Sequence, residues 1–460
     1  MGEKPSTNVM VVLRQTIFPE NRNPQVCVMD GVYPEDRAEK GNRQRMGRNA
    51  NCGYGPSVGD VFQLHIIKFV LPDQKFSLIQ PLCLFASSQR RTIMIVPFVD
   101  LHAQYLSIKT EIDAAIADVI RTSAFIRGPY VQKFEEEFAA AVGVKHCVSC
   151  ANGTDSLYIA MHALGVKPGD EVIAPAHSWI STTETITQAG ASVVFCDTDR
   201  DTFTIDPALI EAKITSRTVG IIPVHMYGQP ADMDVIMAIA RKHKLWVLED
   251  CAQAHMARYK GRVVGTFGNA ASFSFYPGKN LGAMGDAGAI VTSDSVLADR
   301  MAMFARHGGL VKGDHQIEGI NSRLDGLQAA ILSVKLRHLP SWTKRRQEIA
   351  AEYGRLFEGQ DKVKTPAVGP GREHVYHLYV VQHQLRDALA RHLSDRGIPT
   401  VVNYPVALPF LPAYRRFGHL PGQFPMAHHH QSRILSLPIF PEMGQDQIAM
   451  VVEAVMGFRG

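Results

Sequence analysis

The sequence predicts an α/β fold in which a large domain, built on a seven-stranded and mainly parallel sheet, is followed by a smaller C-terminal α/β domain. The first indication is the rhythm that begins near residue 144, where short apolar runs bounded by turn residues alternate with amphipathic stretches. This alternation is typical of βα units around a parallel sheet, whose strands are buried on both faces. The second indication is a long helical stretch, of the kind that links two domains, with one more strand and two more helices after it.

Seven apolar runs account for the strands of the large sheet. They are residues 146–150, 171–174, 192–196, 219–224, 245–248, 271–275 and 289–292. Helical patterns lie between them at 155–164, 206–214 and 232–243. A long helix or helix pair then covers 324–357, and we expect Pro340 to interrupt it. The chain closes with a strand at 377–381 and helices at 386–396 and 446–458.

These elements predict three parts. Residues 94–345 form the large domain and residues 346–460 the small one. Residues 1–93 are expected to be poorly ordered, because 37–59 is rich in Arg, Asn and Gly and has neither helical nor strand periodicity. Organised sequence begins directly after Met94, so our hypothesis is that Met94 is the natural start and that the preceding segment is a non-native upstream extension.

Composition and charge exclude several classes of protein. Residues 1–93 carry 12 Lys and Arg against 8 Asp and Glu, and the rest of the chain has 36 of each. A neutral main body lacks the basic face that nucleic acid requires. No apolar run approaches the ~20 residues of a membrane-spanning helix, and no secretory signal is evident, so we expect a cytoplasmic protein. Seven scattered cysteines indicate free thiols, and Cys147 and Cys150 are expected to be buried in a strand.

The first candidate site is the turn at 150–157, Cys-Ala-Asn-Gly-Thr-Asp-Ser-Leu, where a strand ends and a helix opens. Unpaired N–H groups at a helix start favour a phosphate. Gly153 permits close approach, and Thr154 offers a hydroxyl. On these residues alone, helix capping by Asn152 or Thr154 is favoured over phosphate binding.

The second candidate is the run 245–253, an apolar strand that ends in Glu-Asp. A carboxylate fixed beneath a pyridine ring raises the pKa of the ring nitrogen and keeps the ring an electron sink. Asp250 is the candidate for this role, and Gln253 lies near enough to contact a phenolic oxygen of such a ring. An acidic residue that merely ends a strand remains the alternative.

The third candidate is the run 271–282, where a strand leads into a Pro-Gly turn that carries Lys279. Burial in an apolar pocket lowers the pKa of a lysine, which a Schiff-base amine requires. Ser272 or Ser274 could donate to a phosphate. A turn lysine is usually exposed, so this motif is ambiguous alone. The order of the three sites along the chain, each at the carboxyl edge of the sheet, favours one shared ligand site.

From about Met94 to Phe458 the chain resembles the DegT/DnrJ/EryC1/StrS family of sugar aminotransferases, which have the type I pyridoxal 5′-phosphate (PLP) transferase fold. The matching landmarks, in order, are PFVDL at 97–101, FIRGP at 125–129, NGTD at 152–155, EDCAQ at 249–253, FSFYPGKNL at 273–281, NSRLD at 321–325 and LSLP at 435–438. So long an ordered series is very improbable by chance.

The resemblance implies a PLP-dependent enzyme with Lys279 as the Schiff-base lysine and Asp250 beside the ring nitrogen. By the same resemblance, the remaining contacts to the cofactor are Gln253 at the phenolic oxygen, Gly153, Thr154 and Ser274 at the phosphate, Trp179 stacked on the ring, and Asn321 reaching the phosphate of the neighbouring subunit. It therefore also implies a homodimer with shared active sites. No metal is expected, and the histidines at 428–430 are interpreted as a solvated helix face.

The activity so implied is transfer of an amino group from L-glutamate to a keto-sugar nucleotide, with 3-keto favoured over 4-keto, in amino-sugar biosynthesis for a cell-surface polysaccharide or a secondary metabolite. The alternatives are a PLP-dependent sugar dehydratase, whose family carries histidine where Lys279 stands, and a PLP-binding regulator without turnover. The chain departs from the family pattern at three places. Asn403 stands where the family has a histidine near the sugar, which leaves the identity of the sugar open, and Ala287 and Met256 are expected to reshape the pocket wall.

Overall fold

The computed structural model describes residues 96–460, so the predictions for residues 1–93 and for Met94 as the start lie outside the described residues. The helices are α1 Leu101–Ser107, α2 Lys109–Thr122, α3 Pro129–Val142, α4 Gly153–Ala163, α5 Ser181–Gln188, α6 Pro207–Ile210, α7 Met233–His243, α8 Ser295–Ala305, α9 Gly326–Leu356, α10 Arg386–Ser394, α11 Pro425–Gln431 and α12 Gln445–Met456. The strands are β1 His146–Cys150, β2 Glu171–Pro175, β3 Ser192–Cys196, β4 Thr218–Ile221, β5 Trp246–Asp250, β6 Arg258–Tyr259, β7 Arg262–Val263, β8 Ala270–Ser274, β9 Gly288–Thr292, β10 Arg372–Glu373, β11 Tyr379–Gln382 and β12 Ile434–Leu437.

All seven predicted strands join one sheet, in the order β1-β9-β8-β5-β4-β2-β3. The pairs from β8 through β5, β4 and β2 to β3 are parallel, and β9 is antiparallel to both of its neighbours. Every residue of β2 and β9 is buried, as expected for strands covered on both faces. The predicted α/β class with a mainly parallel sheet is therefore confirmed.

Helices cover both faces of this sheet. In β9, Ile290 packs in the cluster that contains residues of α4, α5 and α8, whereas its neighbours Ala289 and Val291 pack with α3 and α9. Successive side chains of a strand point to opposite faces, so these two clusters lie on opposite sides of the sheet. Cys147 and Cys150 are buried and free, as the sequence predicts.

The predicted interruption at Pro340 is wrong, because α9 is one helix of 31 residues that continues through this proline. Proline removes the hydrogen bond that its own N–H would give to the preceding turn. Buried residues on both sides of Pro340, such as Leu332, Leu339 and Ile349, fix the helix by tertiary packing. The predicted helix at 206–214 is also shorter than expected, since α6 gives way to a 3₁₀ turn at Glu211–Lys213.

The C-terminal part is organised around β11 and β12, which pair antiparallel. A separate apolar cluster joins these strands to α10, α12 and the second half of α9. Because α9 runs across the expected boundary at 345/346, the division into two domains stays a prediction. Among residues 96–460, no helix combines the length and the apolar character needed to cross a bilayer.

The interpretation of the histidine triplet as a solvated face is wrong for one member. His430 is fully buried, and its ring nitrogens lie 3.1 Å from the Arg200 carbonyl oxygen and 3.3 Å from the Thr198 hydroxyl. His428 remains exposed. The three side chains thus face different surroundings, because adjacent residues of a helix point about 100° apart.

Candidate active site

A cavity of about 930 Å³ opens at the carboxyl edge of the parallel strands, where ligands bind in open α/β sheets. Most of the predicted site residues line it, although they come from segments far apart in the sequence. These residues are Gly153, Thr154, Trp179, Asp250, Gln253, Ser274 and Lys279. Ser272 does not line the cavity, since its buried hydroxyl bonds to that of Ser156.

Lys279 lies in the turn that follows β8. The turn is tight, because the Lys279 N–H donates to the Tyr276 carbonyl oxygen at 2.8 Å. The side chain is partly exposed toward the cavity. Burial lowers the pKa of Lys279 from 10.5 to about 8, and attraction by the Asp250 carboxylate only partly opposes this shift. A substantial share of the amine is therefore neutral near pH 8.

Asp250 ends β5 with its carboxylate in the cavity wall and only 4% of its surface exposed. Burial raises the pKa of Asp250, whereas hydrogen bonds and the nearby Lys279 and His225 act in the opposite direction. One carboxylate oxygen accepts from the Ala252 N–H at 3.1 Å, and the other accepts from the Thr182 hydroxyl at 2.9 Å.

The neighbouring Glu249 points to the other face of β5, where it accepts hydrogen bonds from the backbone and has a structural role. Its two oxygens accept the N–H groups of Gly265, Phe267 and Gly268 at 2.7 to 2.8 Å, and one of them lies 3.1 Å from His225 Nε2. The ligand atoms of His225, Glu249 and Cys251 lie within 4.8 Å of one another, but the Glu249 oxygens are already occupied by these donors. Of the two adjacent carboxylates, Asp250 alone lines the cavity.

Gln253 is oriented by two partners. Its side-chain oxygen accepts from the buried Tyr227 N–H at 2.6 Å, and its Nε2 donates to the Tyr404 hydroxyl at 3.0 Å. An amide nitrogen carries two hydrogens, so one remains for a ligand in the cavity. The sequence interpretation missed Tyr404, which lines the cavity from a segment about 150 positions away.

The start of α4 lies against the end of β8 in the cavity wall, and we call this junction the cradle. The Asn152 side chain caps the helix by accepting from the Asp155 N–H at 2.8 Å, so the capping interpretation is correct for this residue. The first N–H groups of a helix otherwise have no partner within it. A Cβ atom at Gly153 would lie 2.5 Å from the Ser274 Cβ, which means that α4 approaches β8 closely only because residue 153 is glycine.

The remaining predicted residues have contrasting positions. Trp179 is 57% exposed at the cavity, and its ring centroid lies 5.4 Å from that of Tyr404. Asn321 is exposed and does not line the cavity of its own chain. Of the three departures from the family pattern, only Asn403 lines the cavity, so Ala287 and Met256 do not form its wall as expected.

Two basic residues in the cavity wall carried no recognisable signal in the sequence. His377 Nδ1 lies 3.3 Å from the Asn280 side-chain oxygen, and burial holds the pKa of His377 well below its usual value. The Arg346 guanidinium donates to the Ile439 carbonyl oxygen at 2.8 Å, and burial lowers the pKa of Arg346 to about 10. Both residues come from segments outside the three motifs, which is why local patterns did not reveal them.

Comparisons with known proteins agree on one family. The model of the DegT/DnrJ/EryC1/StrS aminotransferase family matches residues 106–456. A "pleiotropic regulatory protein" of Geobacillus stearothermophilus is 47% identical over 79% of this chain and 99% of its own length. The dTDP-3-amino-3,4,6-trideoxy-α-D-glucose transaminase of Streptomyces venezuelae is 44% identical over 80% and 97%.

A further relative and a solved structure extend this similarity. A UDP-N-acetyl-3-dehydro-α-D-glucosamine 3-aminotransferase of Acidithiobacillus ferrooxidans is 41% identical over 78% of this chain and 97% of its own. The crystal structure of S. venezuelae DesV superposes with a TM-score of 0.77 at 44% identity, covering 78% of this chain and 97% of DesV. The likeness therefore includes both the sequence and the architecture.

Proposed function

The chain belongs to the DegT/DnrJ/EryC1/StrS aminotransferase family, and on this premise we propose that it transfers the amino group of L-glutamate to C3 of a keto-sugar nucleotide. It has the type I fold and is a PLP-dependent sugar-nucleotide aminotransferase. The amino donor and the position of amination are the parts that we propose. The observation that supports transamination in this site is the cavity that brings Lys279, with its lowered pKa, close enough to Asp250 to be attracted by it.

The residues of the cavity fit PLP. A phosphate suits the start of α4, where Gly153 and Ser274 are in close contact. The buried Asp250 carboxylate could pair with a protonated ring nitrogen. The Lys279 amine, whose pKa is lowered, could react with the aldehyde. When bound, PLP supplies an electron sink for the electrons that the donor's Cα–H bond releases.

We assign the following roles to the protein side chains. Lys279 Nζ binds the cofactor covalently at rest and, once displaced by the donor, takes the proton from the donor's Cα. Asp250 keeps the ring nitrogen protonated. Gln253 directs its free Nε2 hydrogen toward the phenolic oxygen, and Trp179 covers one face of the ring. Gly153, Thr154 and Ser274 hold the phosphate.

Amination at C3 is supported by relatives whose names specify that position, one acting on a dTDP sugar and one on a UDP sugar. The two nucleotides differ, so the names of these relatives support the aminated ring carbon but not the identity of the nucleotide. L-Glutamate is proposed as donor on the resemblance of the chain to its family.

We further propose a homodimer in which Asn321 of each subunit completes the phosphate site of the other. Two features support this. Asn321 is exposed and lies away from the cavity of its own chain, and it pairs with Arg306 in an isolated β-bridge that fixes its backbone. Mixing a Lys279→Ala chain with an Asn321→Ala chain tests the arrangement. In mixed dimers, one site would carry both substitutions and the other neither, so partial activity should return; two inactive parents that stay inactive after mixing would reject it.

The function itself is tested in two half-reactions. Incubating the holoenzyme with L-glutamate should change the cofactor absorbance and release 2-oxoglutarate, whereas the Lys279→Ala variant should do neither. The enzyme whose cofactor has taken up the amino group is then given matched 3-keto and 4-keto sugar nucleotides. NMR identifies the ring carbon of the product that carries the new amino group. Exclusive amination at C4 would contradict the C3 assignment, and a response to another amino acid but not to glutamate would contradict the donor.

A regulatory role without turnover is the second candidate, because the relative at 47% identity is named a pleiotropic regulatory protein. Turnover with a keto-sugar nucleotide separates the two possibilities. The dehydratase alternative is disfavoured by Lys279 itself, which stands where that family carries histidine. The cytoplasmic location stays a prediction.

A further inference from the structure

Within the described residues 96–460, the Asp250 carboxylate accepts hydrogen bonds from two donors. The first is the Ala252 N–H, which belongs to the same turn as Asp250. The second is the hydroxyl of Thr182, which comes from α5 and lies 68 positions earlier in the chain. Thr182 is 1% exposed and also lines the cavity. A hydrogen bond from a distant helix to this carboxylate is not needed to form β5 or its turn.

The Thr182 hydroxyl is itself oriented by Ser178. The two hydroxyl oxygens lie 2.8 Å apart, and both residues are buried. A hydroxyl has one hydrogen, and that of Thr182 is given to Asp250. Ser178 must therefore donate to Thr182, so the hydrogen bonds run in one direction, from Ser178 through Thr182 to the carboxylate. Each donor in such a chain polarises the next and strengthens its bond.

We propose that Thr182, oriented by Ser178, is a positioning residue that keeps the Asp250 carboxylate ionised and fixed for the ring nitrogen of PLP. The inference rests on the proposed function, because it concerns the partner assigned there to that nitrogen. A donor to a carboxylate stabilises its charged form, whereas burial favours the neutral form. Only an anion at this place keeps the ring nitrogen protonated.

The surroundings of Asp250 make this donor important. Lys279 and His225 favour its ionised form, and the buried Tyr404 and Cys251 supply no positive charge. Burial is the largest influence on the pKa of Asp250, and the Ala252 and Thr182 hydrogen bonds come next. Thr182 therefore supplies one of the two hydrogen bonds that oppose the effect of burial on this carboxylate.

The alternative is that Thr182 only fills space at the start of α5. Two substitutions separate these roles. Thr182→Val keeps the shape and removes the hydroxyl, whereas Thr182→Ser keeps the hydroxyl and removes a methyl group. A packing role predicts that both variants are impaired, and a positioning role predicts that serine rescues.

The test measures PLP affinity of the full-length chain as a function of pH. All proteins carry Lys279→Ala, so that neither covalent attachment nor the titration of Lys279 contributes. The set comprises this parent, Thr182→Val, Thr182→Ser and Asp250→Asn, each titrated with PLP by fluorescence from pH 5 to 9. The parent should lose affinity on the acid side as Asp250 takes up a proton.

Thr182→Val should bind PLP about tenfold more weakly near neutral pH, as expected for a lost hydrogen bond to a charged group. Its loss of affinity should begin at higher pH, because removing the donor raises the pKa of Asp250. Thr182→Ser should follow the parent. If Thr182→Val follows the parent, or is weakened equally at every pH, the inference is overturned. An Asp250→Asn protein with the parent's affinity and pH profile would instead reject the assignment of Asp250 in the proposed function.

Discussion

Replacing Gly153 with Ala should loosen the cradle between α4 and β8. The new Cβ would lie 2.5 Å from the Ser274 Cβ and 3.1 Å from the Ser274 Cα and Oγ, whereas ordinary contacts lie at 3.4–4 Å. The strand or the helix must therefore move by roughly 1 Å. Overpacking of this kind costs about 1–3 kcal/mol, and the helix propensity of alanine returns at most about 1 kcal/mol. With the full gain subtracted, the net loss is at most about 2 kcal/mol, and we expect the free energy of unfolding to fall by roughly 1 kcal/mol.

A matched control is Gly354→Ala, within α9. No atom lies within 4 Å of the Cβ that would be added there, so only helix propensity acts and the variant should gain up to about 1 kcal/mol. Chemical denaturation of the two variants without cofactor measures both effects. Gly153→Ala should also bind PLP less tightly, since Ser274 is displaced. Equal or greater stability of Gly153→Ala relative to the native protein would refute this reasoning.

Three further variants and one pH profile test the other parts of the site. The rate of covalent PLP attachment should rise with pH, with its midpoint near the Lys279 pKa of about 8, and level off roughly one to two pH units higher, where the amine is largely neutral; stopped-flow absorbance measures this, and a rate that is still rising steeply at pH 10 would contradict it. Glu249→Gln should destabilise the fold by about 2 kcal/mol or more, since an amide replaces an acceptor of buried N–H groups, whereas Asp250→Asn should mainly reduce PLP affinity. Denaturation should therefore show the larger effect for Glu249→Gln, and cofactor titration the larger effect for Asp250→Asn; the reverse order in either assay would contradict this. Gln253→Leu leaves the buried N–H of Tyr227 without its acceptor and should cost about 1–3 kcal/mol in the protein without cofactor, so unchanged stability would show that this bond contributes little.

The seven strands of the large sheet could be predicted because their signal is local. A strand buried on both faces appears as a short apolar run between turn residues, and 146–150 and 192–196 were predicted to the residue. The regular ladder of β4 ends earlier than expected, at Ile221, because Pro223 has no N–H to give to it. Val224 still forms an isolated parallel bridge with Asp250. The failures at Pro340 and His430 are of another kind, since tertiary burial decides both.

The site was predictable only where residues follow strands of the parallel sheet. Asp250 is the last residue of β5 and Lys279 lies in the turn that follows β8, so the fold alone brings them to one edge. Tyr404 and Arg346 reach the same cavity from the C-terminal part of the chain. No local pattern specifies which residues of a loop or a helix face will meet a cavity built elsewhere. Such contacts depend on the packing of the C-terminal part against the large sheet.

Lys279 and Asp250 have opposite requirements within one buried cavity. The amine must be neutral to attack and to take a proton, whereas the carboxylate must be charged to pair with a ring nitrogen. Burial favours the neutral form of both groups, so it assists the role of the lysine and opposes that of the aspartate. The fold resolves this conflict by giving Asp250 two hydrogen-bond donors, the Ala252 N–H and the Thr182 hydroxyl. Lys279, in contrast, has no hydrogen-bond partner for its amine among residues 96–460. Hydrogen bonding therefore opposes the effect of burial at the aspartate and not at the lysine, and a variant that removes a donor from Asp250 should impair the aspartate without restoring charge to the lysine.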